Sequence, residues 1–236
     1  DRDRSGMEGT EVRKLTELED RHWWYRERRH LVARAIEGLR PGTALDVGAA
    51  GGGNTRVLQR AGWTAAALEY GAEGAQVAAE RGIPTVRGDA TRLPFAPESL
   101  DLVIAYDVLE HIPDDTTAAK QIFELLRPGG IFLVAVPCDM RLWSAHDEAV
   151  DHVRRYEREE LVSLLTGAGF VLDDVRSWMV LLRPAVALRR RSSNGSDLDD
   201  PPTWLNTALG AVVALERRLP VGRLPGVSLL VTARRP

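Results

Sequence analysis

The chain lacks several features that would identify a partner or a compartment at once. Its 236 residues include one cysteine, Cys138, so an internal disulfide and a multi-cysteine zinc site are excluded. The formal net charge is −3, and without a basic excess we expect no nucleic-acid partner. Because the sequence has no run of about 18 apolar residues, we expect no transmembrane segment.

The first residues also lack the pattern of a secretory signal. The opening letters DRDRSG are charged, and residues 1–14 are expected to be a flexible segment. A cytoplasmic location is therefore the default expectation. The chain is 44% hydrophobic and 28% charged, which is typical of a globular protein. Its length favours one domain, which we expect over 15–236.

What the sequence does contain is an alternation of strand-like and helix-like segments. The predicted strands include TALDVG, WTAAALEY, IPTVRGD, SLDLVIAYD and GGIFLVAVP, and helical segments lie between most of them. This order predicts an α/β protein with a doubly wound, mostly parallel sheet and helices on both faces. Residues 102–105 and 131–136 are almost continuously apolar, which indicates strands buried on both sides.

The regions on either side of this alternation are less regular. Residues 15–40 are predicted to form an N-terminal cap helix that runs to Leu39, with an apolar face that includes Tyr25, Val32 and Ile36. Residues 138–156 form a polar, aromatic-rich connection without a clear period. A helix and a strand follow, and residues 181–220 form a helical insertion before the last strand.

The most informative stretch is ALDVGAAGGGN, at residues 44–54. A phosphate-binding P-loop would continue with Lys and Ser or Thr, whereas Asn54 and Thr55 follow here. The nicotinamide fingerprint G-x-G-x-x-G also fails, because the third position counted from Gly48 is Ala50. A flexible turn remains open when the stretch is taken alone.

Together with its surroundings, this stretch resembles the first motif of class I S-adenosylmethionine-dependent methyltransferases. Further motifs follow in that family's order: Glu69 at the end of the second strand, GDATRLPF, LDLVIAYDVLEHI and LLRPGGIFLVAVP. The resemblance covers residues 40–180, and it is nearest to the small-molecule branch that contains quinone-pathway and natural-product enzymes. It implies a seven-stranded, Rossmann-like sheet whose last strand is antiparallel. One departure is Ala50, which stands where the family has its middle glycine, so cofactor binding is expected to be tighter or shifted.

The resemblance also implies which residues bind the cofactor, S-adenosyl-L-methionine. Glu69 is expected to accept hydrogen bonds from the ribose hydroxyls, and Asp89 from the adenine amine. The alternatives are a helix-capping Glu69 and an N-capping Asp89. The implied set is Asp46, Gly48, Ala49, Gly52, Glu69, Tyr70, Asp89, Ala90, Asp107 and Val108. Asp46 is expected to order the loop, and Gly48 and Gly52 to let the backbone pass beneath the amino-acid part of the cofactor.

The N-terminal helix adds Tyr25 and Arg29 to the implied cofactor site. Its apolar face, extended backwards, brings these residues and Arg28 towards the cofactor end of the sheet, where an arginine would pair with the methionine carboxylate. The alternative is that HWWYRERR forms a solvated face with a tryptophan anchor.

Two histidines are candidates for a catalytic base. His111 lies in VLEHI after the fourth strand, and His146 lies in WSAHDEAVDH after the fifth. The alternative for His111 is a structural hydrogen bond. The predicted substrate contacts are Trp143, His146, Tyr156 and Trp178, with Asp147 or Tyr156 as helpers of the base. A metal set of His146, Asp147 and His152 was considered, and no metal is expected.

The acceptor is expected to be a small, partly apolar metabolite that is methylated on oxygen, nitrogen or carbon. No Asn/Asp-Pro-Pro-aromatic turn follows the fourth strand, which speaks against methylation of adenine or glutamine amino groups. For the insertion at 181–220, an apolar lid, a membrane-surface contact through 203–219, a homodimer contact and a core-packing helix all remain open. Two other functions stay open as well, namely a non-catalytic cofactor-binding module and a nicotinamide oxidoreductase.

Overall fold

A computed structural model describes Arg13, Thr16 and residues 18–190 and 201–236. The flexible segment expected over 1–14, apart from Arg13, and residues 191–200 of the predicted insertion lie outside these residues. In chain order the regular elements are α1 (Trp23–Ala35), β1 (Thr43–Val47), α2 (Gly53–Arg60), β2 (Thr64–Glu69), α3 (Ala72–Glu80), β3 (Thr85–Arg87), β4 (Leu100–Tyr106), α4 (Asp115–Leu125), β5 (Leu126–Pro137), α5 (Ala145–Ala149), α6 (Arg158–Gly167), β6 (Val171–Trp178), α7 (Arg183–Arg190), α8 (Thr203–Glu216) and β7 (Ser228–Arg234).

The strands form one seven-stranded sheet in the order β3-β2-β1-β4-β5-β7-β6. The first five strands in this order are parallel, whereas β7 is antiparallel to both β5 and β6. The predicted fold class is therefore confirmed, including the helical insertion between β6 and β7. The strand order reverses between β1 and β4, and in such sheets ligands bind beyond the carboxyl ends of the strands at this point.

The core lies on both faces of the sheet. On one face, α4 and α6 contribute Ile122, Leu161 and Leu165, which are fully buried. On the other face, Val32 of α1 and Leu58 of α2 pack against the central strands. The apolar segments 102–105 and 131–136 are almost fully buried, as expected of strands covered from both sides.

Helix α1 is shorter than the sequence predicts. Residues 19–22 form a turn, and α1 begins after His22, whose ring nitrogen Nδ1 accepts a hydrogen bond from the Trp24 amide at 3.2 Å. Leu18, which precedes the turn, is buried as well, so the apolar period of the sequence runs through the turn without interruption. A periodic pattern therefore did not reveal the break between the two helical segments.

The insertion packs on the outer side of α1. The Asn206 side chain of α8 accepts a hydrogen bond from the Trp23 amide at 2.8 Å and donates one to the Arg21 carbonyl at 2.9 Å. Of the apolar side chains of α8, Val213 is buried whereas Trp204 is 72% exposed. None of the helices in the described part of the chain has the length and apolar character needed to cross a bilayer.

The connection over 138–156 contains more structure than its sequence suggests. A 3-10 turn covers Met140–Leu142, and α5 follows with Ser144 as its N-cap. The Asp147 carboxylate accepts a hydrogen bond from the Ser144 amide, which completes a capping box. A five-residue helix is too short to show a period, so the sequence pattern missed it.

Candidate active site

A cavity of about 360 Å³ lies beyond the carboxyl ends of β1 and β4. The glycine-rich loop after β1 and Asp107 after β4 form its floor, and α1 forms its roof with Trp24, Tyr25 and Arg28. The opposite wall, here called the far wall, consists of residues 110–111 and 146–155. The cavity thus occupies the position where a doubly wound sheet binds its ligand.

Two glycines of the loop are required by packing as well as by backbone conformation. Gly48 and Gly52 have φ angles of +67° and +78°, a region that favours glycine. A Cβ atom on Gly48 would stand 2.5 Å from a methyl of Val108, and one on Gly52 would collide with Ile83. Gly48 and Ala49 line the cavity, whereas Gly52 and Val108 lie behind it. Gly52 thus serves the packing of the loop, which differs from the role expected from the sequence.

Ala50 adopts the left-handed conformation with φ +46°, although it carries a Cβ atom. Its amide donates a hydrogen bond to Glu69 Oε2 at 2.7 Å, and the Gly71 amide donates to Glu69 Oε1 at 3.1 Å. Each carboxylate oxygen can accept more than one hydrogen bond, so Glu69 keeps acceptor capacity for a ligand. Glu69 therefore holds the loop in place, and the neighbouring Tyr70 is exposed.

Asp46 lies beneath the loop and does not line the cavity. Its carboxylate is buried and accepts a hydrogen bond from the Thr55 hydroxyl at 2.7 Å. Burial raises the pKa of Asp46 to about 7, against the opposing effect of the Thr55 hydrogen bonds. The hydrogen bond from Thr55 links the end of β1 to α2, and the role of Asp46 in ordering the loop stays a prediction.

Asp89 and Ala90 lie after β3, outside the cavity lining. Asp89 Oδ1 accepts hydrogen bonds from the amide and the hydroxyl of Thr91, both at 2.8 Å, and so closes a tight turn. Ala90 is buried in the core. The adenine contacts of these two residues remain a prediction.

The roof of the cavity contains Arg28, which the sequence predicts near the cofactor end of the sheet. The Arg28 side chain is 4% exposed, and its Cζ atom lies 4.5 Å from the ring centroids of both Trp24 and Trp178. Arg28 Nη2 donates to Asp107 Oδ1 at 2.5 Å. No described residue pairs with Nε or Nη1 of Arg28, although both atoms are buried. Such unpaired donors at a cavity wall are suited to an anionic ligand.

The two residues of α1 predicted at the cofactor site both line the cavity. Arg29 Nη2 donates to the Glu19 carbonyl at 2.6 Å, and burial lowers the pKa of Arg29. Burial and the charges of Asp107 and Glu19 raise the pKa of the Tyr25 hydroxyl above its usual range, so it stays protonated. Their contacts with the cofactor remain a prediction.

Both predicted base candidates, His111 and His146, lie at the cavity together with His152. The ring centroid of His152 is 4.7 Å from that of His111 and 6.2 Å from that of His146. Burial lowers the pKa of His111, and the neighbouring His152 lowers it further. The fold therefore brings together three histidines from two segments that are about forty residues apart.

Glu110 is the residue of the far wall that sequence reasoning missed. Its side chain is 0% exposed, and neither carboxylate oxygen has a hydrogen-bond partner among the described residues. His152 Nε2 lies 3.8 Å from Glu110 Oε1. Burial, and secondarily the charge of Asp107, raise the pKa of Glu110 well above its usual range. The sequence neighbours of Glu110, Leu109 and His111, do not indicate that its carboxylate is buried.

Asp147 does not fit the metal set of His146, Asp147 and His152 that was considered from the sequence. Its carboxylate is already occupied by Arg155 at 2.8 Å, Arg190 at 3.0 Å and His152 Nδ1 at 2.9 Å. Although burial acts in the opposite direction, the hydrogen bond with His152 and the two guanidinium charges hold the pKa of Asp147 below its usual range. Within the described residues, the group with metal-ligand geometry is instead Glu110, His111 and His152, whose ligand atoms all lie within 4.8 Å of one another.

Three of the four predicted substrate contacts lie outside the cavity lining. The Tyr156 hydroxyl is buried and donates towards the Leu109 carbonyl and Asp115 Oδ2, at 3.2 and 2.7 Å. Trp178 is buried behind Arg28, and Trp143 lines a separate hollow beside Arg141 and Arg183. The aromatic rings of Tyr156 and Trp178 are packed inside the protein, and their contacts with a substrate stay a prediction. His146 is the member of that set that lines the cavity.

Known proteins of similar sequence carry methyltransferase names. A family model described as a methyltransferase domain matches residues 20–175. A protein of Mycolicibacterium smegmatis named "Probable S-adenosylmethionine-dependent methyltransferase" is 28% identical over 174 residues, which cover 72% of this chain and 68% of that protein. A demethylmenaquinone methyltransferase of Mycolicibacterium paratuberculosis is 32% identical over 117 residues, which cover 49% of this chain and 48% of the relative. The chain thus spans about half the length of this second relative.

Solved structures of low sequence identity share the fold. An S-adenosylmethionine-dependent methyltransferase from Mesorhizobium loti is 18% identical with a TM-score of 0.62, and the match covers 92% of this chain and all of that one. Phosphoethanolamine N-methyltransferase 2 of Haemonchus contortus, solved with S-adenosyl-L-methionine, is 21% identical with a TM-score of 0.62, over 89% of this chain and 52% of that one.

Proposed function

Since this chain belongs to the family of S-adenosylmethionine-dependent methyltransferases, we propose that it methylates a small metabolite bound in the cavity beneath α1. The observation that carries this proposal is the cavity itself, which joins the glycine-rich loop to a wall of histidines and arginines. A volume of about 360 Å³ that also takes one end of the cofactor leaves room for a small acceptor.

The residues present fit the cofactor. The glycine-rich loop lines the cavity with the backbone of Gly48, and Glu69, which lies outside the cavity lining, keeps free acceptor positions beside the loop. The buried Nε and Nη1 atoms of Arg28 lack protein partners and suit the carboxylate of the methionine part. Glu69, Asp89 and Arg28 would therefore hold the three parts of the cofactor, namely ribose, adenine and amino acid.

The protein's own contribution to the reaction is alignment and exclusion of water. When bound, the cofactor supplies a methyl group that is already activated by a sulfonium centre. The roof helix α1 closes the cavity from above, and the Arg28–Asp107 pair fixes the floor to the roof. An acceptor that starts protonated also needs a base, and His111 and His146 both line the cavity wall.

The lining favours an acceptor with one apolar side and one polar end. Pro137, Val150 and Val227 offer apolar contact, and the histidines offer hydrogen bonds to an oxygen or nitrogen. Relatives named demethylmenaquinone methyltransferase and 2-methyl-6-phytyl-1,4-hydroquinone methyltransferase make aromatic hydroxyl compounds the first class to test.

The test is formation of S-adenosylhomocysteine by the purified chain with a panel of phenols, hydroquinones, amines and carboxylic acids. We expect turnover with at least one acceptor, and its loss in Glu69→Ala. Glu159→Gln, an exposed change on α6 distant from the cavity, serves as the control and should keep full activity.

Two outcomes would contradict the proposal. Calorimetric binding of S-adenosylmethionine without turnover on any acceptor would support a non-catalytic cofactor-binding module instead. Tight binding of NADH with no binding of S-adenosylmethionine would support the oxidoreductase alternative and reject the proposal altogether.

A further inference from the structure

We propose that Glu110, His111 and His152 bind a divalent transition-metal cation in the far wall of the cavity, with Zn²⁺ as the best fit. The three ligand atoms lie within 4.8 Å of one another and border the cavity. Neither the family model nor the named relatives carry such an ion in their descriptions.

The first argument is the state of Glu110. A carboxylate that is 0% exposed and has no hydrogen-bond partner on either oxygen is costly to bury. The other buried carboxylate of this wall, Asp147, is in contrast bound by Arg155, Arg190 and His152. An ion in front of Glu110 would supply a partner that the described residues do not.

The second argument is distance. Two ligands that each lie about 2.1 Å from a tetrahedral ion are about 3.4 Å apart. His152 Nε2 and Glu110 Oε1 are already 3.8 Å apart, so an ion fits between them with little movement. A ligand atom of His111 lies within 4.8 Å of those of Glu110 and His152, so it is near enough to occupy a third position.

The third argument is the orientation of His152. Its Nδ1 atom lies 2.9 Å from Asp147 Oδ1, and an ionised carboxylate can only accept, so the proton lies on Nδ1. The lone pair of Nε2 then points away from Asp147, towards Glu110 and the cavity. A carboxylate behind a histidine in this way is the arrangement that orients metal-binding imidazoles, and Arg155 and Arg190 in turn fix the carboxylate.

The donor set selects the kind of ion. Two imidazole nitrogens and one carboxylate oxygen suit Zn²⁺ and, less well, Fe²⁺ or Mn²⁺, whereas Mg²⁺ prefers oxygen donors. The guanidinium charges nearby are already paired, Arg155 and Arg190 with Asp147 and Arg28 with Asp107. None of these three guanidinium groups forms an ion pair with Glu110.

Three protein ligands leave at least one coordination position open, and here it faces the cavity. The use of this position rests on the proposed function: a hydroxyl or carboxylate oxygen of the acceptor would bind there and be held near the floor of the cavity. His111 would then act as a ligand, which leaves His146 as the candidate base.

The experiment uses the full, untagged chain after treatment with a chelator and its removal. Calorimetric titration with Zn²⁺ should give one site per chain, and Co²⁺ should produce visible absorption bands of a nitrogen- and oxygen-ligated ion. Glu110→Gln and His111→Ala should each weaken Zn²⁺ binding by at least about 10-fold. His30→Ala, which removes a histidine of α1 outside the cavity lining, should bind as the wild type does.

Equal Zn²⁺ affinity in the wild type, Glu110→Gln and His111→Ala would overturn the proposal, as would a wild type that takes up no ion. His111 is exposed, so its variant keeps the test valid even if the Glu110 variant unfolds, which circular dichroism would reveal. S-adenosylmethionine binding is measured on the same samples. If the two variants lose Zn²⁺ binding but still bind the cofactor, the metal site is supported. If the wild type binds Zn²⁺ but does not bind the cofactor, the metal site stands and the proposed function is contradicted.

Discussion

The two sides of the cavity differ in the hydrogen-bond partners of their buried glutamates. On the loop side, Glu19 is almost completely buried, and one of its oxygens accepts hydrogen bonds from both Arg56 and Arg81. On the far wall, Glu110 is fully buried, and no described residue forms a hydrogen bond with its carboxylate. The Glu19 carboxylate is therefore paired within the protein, whereas the Glu110 carboxylate has room for a ligand as its partner. This contrast indicates that protein contacts hold the Glu19 side of the cavity, and it supports a ligand at the far wall.

The largest expected effect tests the rigidity of the loop side. Gly48→Ala introduces a methyl 2.5 Å from Val108, a stiff β-branched residue, at a φ of +67°. We expect a loss of about 3 kcal/mol in the free energy of unfolding, measured with urea. Gly82→Ala is the matched control, because Gly82 has φ +76° and open space around it, and it should cost about 1 kcal/mol. Equal losses would show that packing against Val108 is unimportant.

The next effect compares the two glutamates directly. Glu19→Gln weakens two charged hydrogen bonds and should cost about 2 kcal/mol. Glu110→Gln, measured in the presence of a chelator, replaces a buried carboxyl group that no described residue hydrogen-bonds, and it should leave the unfolding free energy unchanged or raise it. Similar destabilisation of both variants would mean that Glu110 is satisfied by the protein, and the contrast between the two sides would fail.

A pH effect of similar size tests Asp46. Its pKa is about 7 in the folded protein, above the pKa of an aspartate in the unfolded chain. At a pH between these two pKa values, Asp46 keeps its proton in the folded state and loses it in the unfolded state. Stability should therefore fall as the pH rises, by about 2 kcal/mol between pH 5 and pH 7. Asp46→Asn should remove this part of the pH dependence, measured as the difference between urea unfolding curves at the two pH values. A parallel decline in the variant would locate the titrating group elsewhere.

The smallest effect concerns Ala50. Ala50→Gly relieves the left-handed strain of about 1 kcal/mol but also makes the unfolded chain more flexible. We expect a net change below about 1 kcal/mol in unfolding free energy, with a measurable change in S-adenosylmethionine affinity by calorimetry. A large loss of stability would indicate that the methyl group itself holds the loop.

The sheet and the loop side could be predicted from the sequence because their signals are local. The apolar strands, the glycines after β1 and Glu69 at the end of β2 all follow from short stretches. Arg28 and Glu110 could not be assigned in this way, because their roles arise from residues distant in the chain, such as Trp178 and His152. Tyr156 shows the same limit, since the Asp115 carboxylate that its hydroxyl binds is about forty residues away.

The contact of Arg28 with both Trp24 and Trp178 also gives the protein a built-in optical signal. These two indoles, of six in the chain, come from the roof helix and from the end of β6. Their ring centroids are 5.1 Å apart, and the Arg28 Cζ atom lies 4.5 Å from each centroid. Any compound that draws the guanidinium towards the cavity changes the surroundings of both rings. Their fluorescence therefore reports occupancy directly, without a label and before any product has formed.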